Sequence, residues 1–133
     1  MPPFTVSRRV EFGDTDLAGI VHFPNFFRYM EAAETAFLRS RGLTVAWTEG
    51  GVKYGFPRVS VGCDYSSPAR FEDELDIAVT LEKLGTKSVS YRFDVTCRGR
   101  AVAVGRMTAV YARSTADGLE TLAIPDDIRA KLS

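Results

Sequence analysis

The sequence predicts an α+β protein in which an antiparallel sheet packs against one long helix. Four segments alternate apolar and polar residues with the period of a half-buried strand, and a fifth is apolar or small on both faces. Only the segment after Pro24 repeats apolar residues with helical spacing. Short turns link the later strands, which favours antiparallel neighbours. Because one helix covers only one face of a sheet, we expect exposed strand edges that pair with a second copy of the chain.

The first strand and the helix are defined by the spacing of their apolar residues. Residues 4–12 alternate along the chain, which predicts a half-buried strand. After a loop, Pro24 suits the first turn of a helix, because its missing N–H would have no partner there. Apolar residues then recur at spacings of four, three and four, at Phe26, Met30, Ala33 and Phe37. We therefore predict a helix that runs to about Arg41 and ends at Gly42.

The remaining elements are predicted to be mostly strands. Residues 43–55 are irregular and contain Gly50-Gly51, so we predict a loop there with a short helical turn near residues 45–49. Strands are predicted at residues 56–66, 75–82, 89–97 and 101–112. The last is apolar or small on both faces apart from Arg106 and Thr108, which is typical of a central strand. Pro125 and the acidic residues after it predict a terminal helical turn.

Composition narrows the classes of function. The chain has 133 residues, 45% of them hydrophobic, which predicts one domain over residues 1–133 with a substantial core. Seventeen basic and seventeen acidic side chains balance, which argues against a nucleic-acid partner. Cys63 and Cys97 form no CxxC pair and there is one His, so we expect no metal site. With neither a signal peptide nor an apolar run of about 18 residues, we expect a cytoplasmic protein without a membrane span.

The loop between the first strand and the helix concentrates the chemically informative residues. Asp14 and Asp16 lie between Gly13 and Gly19, just before a helix N-terminus that offers backbone N–H groups to negative charge. Such a carboxylate can act in acyl transfer, and such N–H groups can stabilise an oxyanion. The alternative is that both Asp residues only hydrogen-bond their own turn and that water satisfies the helix terminus. The residues by themselves leave both interpretations open.

A family resemblance favours the first interpretation. The run EFGDTDLAGIV at residues 11–21, followed by Pro24-Asn25, resembles the signature of the 4-hydroxybenzoyl-CoA thioesterase family of hotdog-fold proteins, and weaker similarity extends over nearly the whole chain. The resemblance implies a hotdog fold, a five-stranded antiparallel sheet wrapped around one long central helix. It also implies homodimers joined edge to edge, with active sites at the interface, and tetramers as the alternative assembly. The implied substrate is an acyl-CoA, and no cofactor is needed.

The same resemblance assigns roles to individual residues. Asp16 would attack the thioester as nucleophile or act as general base to water, and the backbone N–H of Phe23 would stabilise the oxyanion. Asp14 would remain a turn residue. His22 and Glu31 are accessory candidates for catalysis. The ordinary role of such a histidine is to line a pocket or loop. The ordinary role of Glu31, as of Glu34, is that of a solvated carboxylate or one at the rim of a site. Most of the remaining candidates have an ordinary alternative role as solvated turn charges or core residues. The candidates for contact with CoA or the acyl group are Lys87, Ser88, Arg70, Tyr54 and Val59.

Three functions therefore remain as hypotheses: a thioesterase, a dehydratase and a non-catalytic binding module. The thioesterase hypothesis uses the Asp16 motif, and its similarity is closest to members acting on aromatic acyl groups. A hotdog dehydratase would use His22-Phe23-Pro24, but the residue fourteen positions after His22 is Ala36 rather than an acid. The third hypothesis is a non-catalytic acyl-CoA-binding module, because a fold does not guarantee chemistry.

Overall fold

The computed structural model describes residues 3–133 and contains two antiparallel sheets and two helices. The elements in chain order are β1 (Phe4–Arg9), α1 (Asn25–Ser40), β2 (Ala46–Glu49), β3 (Val52–Gly55), β4 (Arg58–Tyr65), β5 (Glu74–Leu84), β6 (Ser88–Cys97), β7 (Arg100–Val110), β8 (Ala112–Thr115), β9 (Gly118–Thr121) and α2 (Asp126–Leu132). Within the described range, no helix is both long and apolar enough to cross a membrane.

The larger sheet has five strands in the order β1-β5-β6-β7-β4, and all its pairs are antiparallel. These are the five strands that the sequence predicts, and β7 has neighbours on both sides, as expected of the most apolar segment. The core lies between this sheet and α1, where the helix buries Phe26, Met30, Ala33 and Phe37. Its apolar stripe therefore faces the sheet as predicted.

Helix α1 ends at the predicted glycine. Gly42 has a φ of +72°, a left-handed conformation that costs glycine little. The Leu43 N–H donates to the Leu38 carbonyl at 2.8 Å, and the Gly42 N–H donates to the Arg39 carbonyl at 3.0 Å. This pair of bonds is a Schellman motif, which satisfies carbonyls at the end of the helix.

The predicted architecture is incomplete, because a second sheet with the order β2-β3-β8-β9 lies outside it. The helical turn predicted near residues 45–49 is wrong, since those residues form β2. Gly50 and Gly51 have φ values of +57° and +78° and join β2 to β3, as a two-residue turn with two positive φ angles requires. The strand predicted at residues 101–112 is divided, because β7 ends at Val110 and β8 pairs with β3 instead.

An aromatic cluster stabilises this second sheet. The rings of Trp47 and Tyr54 stack with centroids 6.1 Å apart, and those of Tyr54 and Tyr111 stack at 6.0 Å. Phe56 completes the cluster. Strands of four residues are too short to show a clear alternating pattern, so these contacts rather than local sequence define them. The terminal helical turn predicted after Ile124 is confirmed as α2.

Close packing of α1 on the larger sheet depends on a glycine in β7. A Cβ atom built on Gly105 would lie 2.6 Å from both Sδ and Cε of Met30. Met30 is fully buried, so its side chain has little room to move away. The absence of a side chain at position 105 thus allows the helix to approach the sheet.

We predict that Gly105→Val lowers the free energy of unfolding by about 1–3 kcal/mol, because the new side chain overpacks the core against Met30. Met30→Ala alone should cost about 2–5 kcal/mol through the cavity it leaves. The double variant should cost clearly less than the sum, since each change relieves the other. Urea unfolding of the four proteins measures this, and additive losses would contradict the contact.

Candidate active site

The loop that carries Asp16 is held as a compact turn by its backbone. Thr15 and Val21 form an antiparallel bridge. Between them the Asp16 N–H donates to the Ile20 carbonyl at 2.9 Å, and the Gly19 N–H donates to the Asp16 carbonyl at 3.0 Å. A second bridge joins Ile20 to Arg70, so the loop is also attached to the segment before β5. The position of Asp16 is therefore fixed from both sides.

The two oxygens of the Asp16 carboxylate have different environments. Oδ1 accepts a hydrogen bond from the Ala18 N–H at 2.8 Å, which is the turn contact that the sequence leaves open. Oδ2 lies 4.0 Å from Nδ1 of His22 and accepts no hydrogen bond from the described residues. The side chain is 33% exposed. One oxygen thus orients the carboxylate, while the other remains available to a ligand.

An open cavity of about 640 Å³ adjoins this carboxylate. Its walls are formed by loop residues: Phe12, Gly13, Thr15, Asp16, Leu17, Gly19 and His22. His22 is a largely exposed lining residue whose imidazole edge packs against the Phe23 ring. The structure therefore brings His22 and Asp16 together, at a distance longer than a hydrogen bond.

The start of α1 offers one backbone donor rather than several. The Asn25 N–H donates to the His22 carbonyl at 2.9 Å, and the Phe26 N–H to the Phe23 carbonyl at 3.2 Å. Phe27 donates to the Pro24 carbonyl at 3.1 Å. Because Pro24 has no N–H, the Phe23 N–H is the donor at this terminus that has no acceptor within residues 3–133. This is the same group that the family resemblance selects.

Asp14 is occupied by contacts within the loop and helix. Its Oδ2 accepts hydrogen bonds from the Glu11 N–H and the Tyr29 hydroxyl, both at 2.9 Å. Burial raises the pKa of Tyr29, and the hydrogen bond to Asp14 raises it further, so this hydroxyl keeps its proton at neutral pH. Asp14 is thus placed as a structural residue.

The two helix glutamates occupy separate environments. Glu31 lines an outer groove on α1 together with Arg8, Arg28 and Arg39, and it does not line the Asp16 cavity. Glu34 is wholly buried, so its interpretation as a solvated or rim carboxylate is wrong. The helical wheel places Glu34 beside the apolar stripe. A carboxylate can be buried there only with a charged partner, which comes from a residue distant in the sequence.

That partner is Arg58, at the start of β4. Its Nε donates to Oε1 of Glu34 at 3.0 Å, and Nη2 donates to the same oxygen. Oε2 of Glu34 is buried with no hydrogen-bond partner among the described side chains and backbone. Burial raises the pKa of Glu34, while the Arg58 guanidinium opposes this shift. The pair joins the helix to the outer strand of the larger sheet.

The remaining predicted residues lie at several places around the fold. Arg70 is beside the loop through its bridge to Ile20. Lys87 is exposed just before β6, and Ser88 is the first residue of that strand. Tyr54 belongs to the aromatic cluster, and Val59 is 61% exposed on β4. Neither of the last two lines the Asp16 cavity of its own chain.

Residues around Tyr65, on the side of Phe23 away from the Asp16 cavity, are not predicted by the sequence. The Tyr65 hydroxyl donates to the Phe23 carbonyl at 3.2 Å, and its ring packs on Phe26. A cavity of about 380 Å³ lies here, with apolar and hydroxyl-bearing walls: Ile20, Val21, Phe23, Phe26, Tyr65, Ser66, Ser67, Pro68 and Ala69. Tyr65 is separated by 42 residues from Phe23, so no local pattern connects them. No group of three possible metal ligands occurs in the described part of the chain.

Comparison with known proteins defines the class. Residues 10–132 match the family model described as the thioesterase-like superfamily, and the chain belongs to this superfamily. It is 32% identical to the 4-hydroxybenzoyl-CoA thioesterase of Pseudomonas sp. (strain CBS-3) over 131 residues, 92% of each chain. It is 31% identical over 134 residues to the 1,4-dihydroxy-2-naphthoyl-CoA hydrolase of Synechococcus sp. (strain CC9605), covering 96% of this chain and 87% of that relative.

The fold is similar to that of solved thioesterases. One such structure is an Asp-to-Asn mutant of 4-hydroxybenzoyl-CoA thioesterase complexed with 4-hydroxybenzoyl-CoA, with a TM-score of 0.88, 27% identity and full coverage of both chains. The predicted family and the predicted class of enzyme, a thioester hydrolase, are confirmed. The hotdog prediction is correct in its antiparallel strands packed with helix, and incomplete because it has one five-stranded sheet and one central helix where the structure has two sheets and two α-helices.

We predict that Arg58→Leu destabilises the protein by about 3–5 kcal/mol at neutral pH, because the buried Glu34 carboxylate loses its partner. A raised Glu34 pKa means that the folded state binds the proton more readily, so stability falls as pH rises above the usual glutamate range. Without Arg58 that pKa rises further. The loss should therefore be larger near about pH 8 than near about pH 5 in urea unfolding.

The matched control is Arg113→Leu. Arg113 and Glu120 form an exposed pair with Nε and Oε1 2.6 Å apart, and such pairs contribute about 0–1 kcal/mol. A loss for Arg58→Leu that is equally small, or that does not change with pH, would contradict the buried pair.

Proposed function

We propose that this thioesterase hydrolyses an acyl-CoA to the free acid and CoA, with Asp16 as the reacting carboxylate and the Phe23 N–H as the oxyanion donor. The observation that carries this proposal is that the segment between β1 and α1 holds both an available carboxylate oxygen, on Asp16, and an N–H without an acceptor among the described residues, on Phe23. Both groups are oriented by hydrogen bonds made by their neighbours. An active site needs such preorganisation, since charge develops on the thioester oxygen in the transition state.

Two routes fit this arrangement. Oδ2 of Asp16 can attack the thioester carbon, forming a mixed anhydride and releasing the CoA thiolate, after which water hydrolyses the anhydride. Alternatively, Oδ2 takes a proton from water as the water attacks, and the thiolate leaves from the tetrahedral intermediate. Both routes place negative charge on the former carbonyl oxygen, and neither requires a cofactor.

An aromatic acyl group is the proposed substrate class. The relatives named above act on hydroxybenzoyl-CoA and dihydroxynaphthoyl-CoA by their names. The cavity beside Phe23 supports the same class, because aromatic rings and the Tyr65, Ser66 and Ser67 side chains line it. For the CoA portion, Lys87, Ser88 and Arg70 are the proposed contacts, since exposed cations and a hydroxyl suit phosphate groups.

A homodimer is part of the proposal, with a tetramer as the alternative. Strand β4 ends the larger sheet and leaves one edge without a partner strand within residues 3–133. Val59, Val61 and Tyr65 on this strand are large, apolar or aromatic, and exposed. Such an edge pairs readily with a second copy. This pairing would bring Val59, and the nearby Tyr54, toward the partner's site rather than their own.

We predict that Asp16→Asn lowers kcat by about 100-fold or more, because the amide can neither attack nor accept the proton. Thiol release from a panel of benzoyl, hydroxybenzoyl, hydroxynaphthoyl, short-chain and long-chain CoA thioesters measures this. The control is Asp117→Asn, which changes an exposed carboxylate in the turn between β8 and β9. The mechanism is wrong if Asp16→Asn matches the parent, and binding of acyl-CoA without turnover by the parent would favour the non-catalytic module.

We predict that Val61→Asp dissociates the dimer and abolishes activity, because a carboxylate would be buried at the paired β4 edges. Val61 is 49% exposed in the single chain, so the variant should still fold. Leu119→Asp is the control, since Leu119 is 63% exposed on β9, in the other sheet. Light scattering after gel filtration gives the mass. A parent that is monomeric, or a fully active monomeric variant, would contradict the interface.

A further inference from the structure

The main-chain carbonyl of Asp14 connects the Asp16 loop to the start of α1. It accepts the His22 N–H at 2.8 Å and Nδ2 of Asn25 at 2.8 Å. The two donors belong to the residue before Phe23 and to the first residue of the helix. The loop and the helix are thus fixed relative to each other at a single oxygen atom.

Asn25 also sets the direction of the Phe23 N–H. The His22 carbonyl and the Phe23 N–H belong to one peptide plane, and the described chain has no cis peptide bond. In a trans peptide these two groups point in opposite directions. Because the Asn25 N–H holds the His22 carbonyl at 2.9 Å, the Phe23 N–H is directed away from the helix turn. Rotation of this plane would break that bond.

Tyr29 anchors the same network from inside the core. It lies four residues after Asn25 on α1, so the two side chains share one face of the helix. Its ring is buried, and its hydroxyl donates to Oδ2 of Asp14 at 2.9 Å. The Arg8 guanidinium lies over the ring, 5.1 Å from the centroid. Asp14 is therefore attached to the buried core through Tyr29.

We propose that Asn25 and Tyr29 are positioning residues for thioester hydrolysis: acting through Asp14, they hold the Phe23 N–H in the direction of the developing oxyanion. This inference depends on the proposed function of Asp16 and Phe23. Neither side chain is placed against the substrate: Asn25 acts on the Asp14 carbonyl, and Tyr29 acts on the Asp14 carboxylate. A donor that is already oriented costs no reorganisation during the reaction, whereas a mobile donor loses part of its effect.

The first test is kinetic. Tyr29→Phe removes only the hydroxyl, and Asn25→Ala removes the side-chain amide but keeps the backbone N–H that bonds to the His22 carbonyl. Each should lower kcat about tenfold with KM changed less than about twofold, because the donor acts on the transition state more than on the bound substrate. The pH dependence of kcat should keep its shape, since Asp16 is unaltered. Tyr91→Phe is the control, since Tyr91 is a buried tyrosine outside the Asp14 network.

The second test does not require turnover. Protein labelled with 15N-phenylalanine gives nine amide signals, and Phe23→Leu identifies the one from residue 23. In Tyr29→Phe and Asn25→Ala this signal should shift or broaden, while Tyr91→Phe leaves it in place. The inference is overturned if both variants keep kcat within about twofold of the parent, or if KM carries the whole effect. It is also overturned if the Phe23 signal is unchanged in both.

The outcomes separate this inference from the proposed function. A parent that hydrolyses no thioester overturns the proposed function, and the positioning by Asn25 and Tyr29 is then decided by the Phe23 amide signal alone. An active parent with unaffected variants overturns the positioning and leaves Asp16 in place. Thermal unfolding of each variant verifies that the protein is folded during the assays.

Discussion

The two hydrogen bonds to the Asp14 carbonyl are the constraint on which the site depends. The carboxylate of Asp16 and the N–H of Phe23 both lie in the segment between β1 and α1, and in the proposed mechanism they act only if they are held together. The bonds from the His22 N–H and from Nδ2 of Asn25 supply this connection. A short polar network therefore sets the relative position of the two groups that we propose take part in the reaction.

Helix α1 connects this hydrogen-bonded loop to the larger sheet. The absence of a side chain at Gly105 lets the helix approach the sheet, and the buried Glu34 joins the helix to Arg58 on β4. At the other end of β4, Tyr65 contacts the Phe23 carbonyl. The same helix thus sets the position of the loop and of the outer strand, which are the two surfaces that a dimer would bring together.

Much of the fold and part of the site could be predicted from the sequence. Alternation with period two located four strands of the larger sheet, and helical spacing located α1, because burial of one face dictates both patterns. The fifth strand was located by a run that is apolar or small on both faces, as in a central strand. The Asp16 loop was found by its motif. The second sheet was missed, since its strands are four residues long. Burial of Glu34 was missed because its partner Arg58 lies 24 residues away, and the importance of Tyr29 depends on a hydrogen bond that periodicity cannot show.

The most direct measurement is a crystal structure of Asp16→Asn with 4-hydroxybenzoyl-CoA. Position 16 should contact the thioester carbon from one side, while the Phe23 N–H lies about 2.7–3.1 Å from the carbonyl oxygen. The acyl ring should occupy the cavity beside Phe23 and Tyr65. A thioester bound with its carbonyl directed away from Phe23, or bound elsewhere on the protein, would contradict the proposed mechanism.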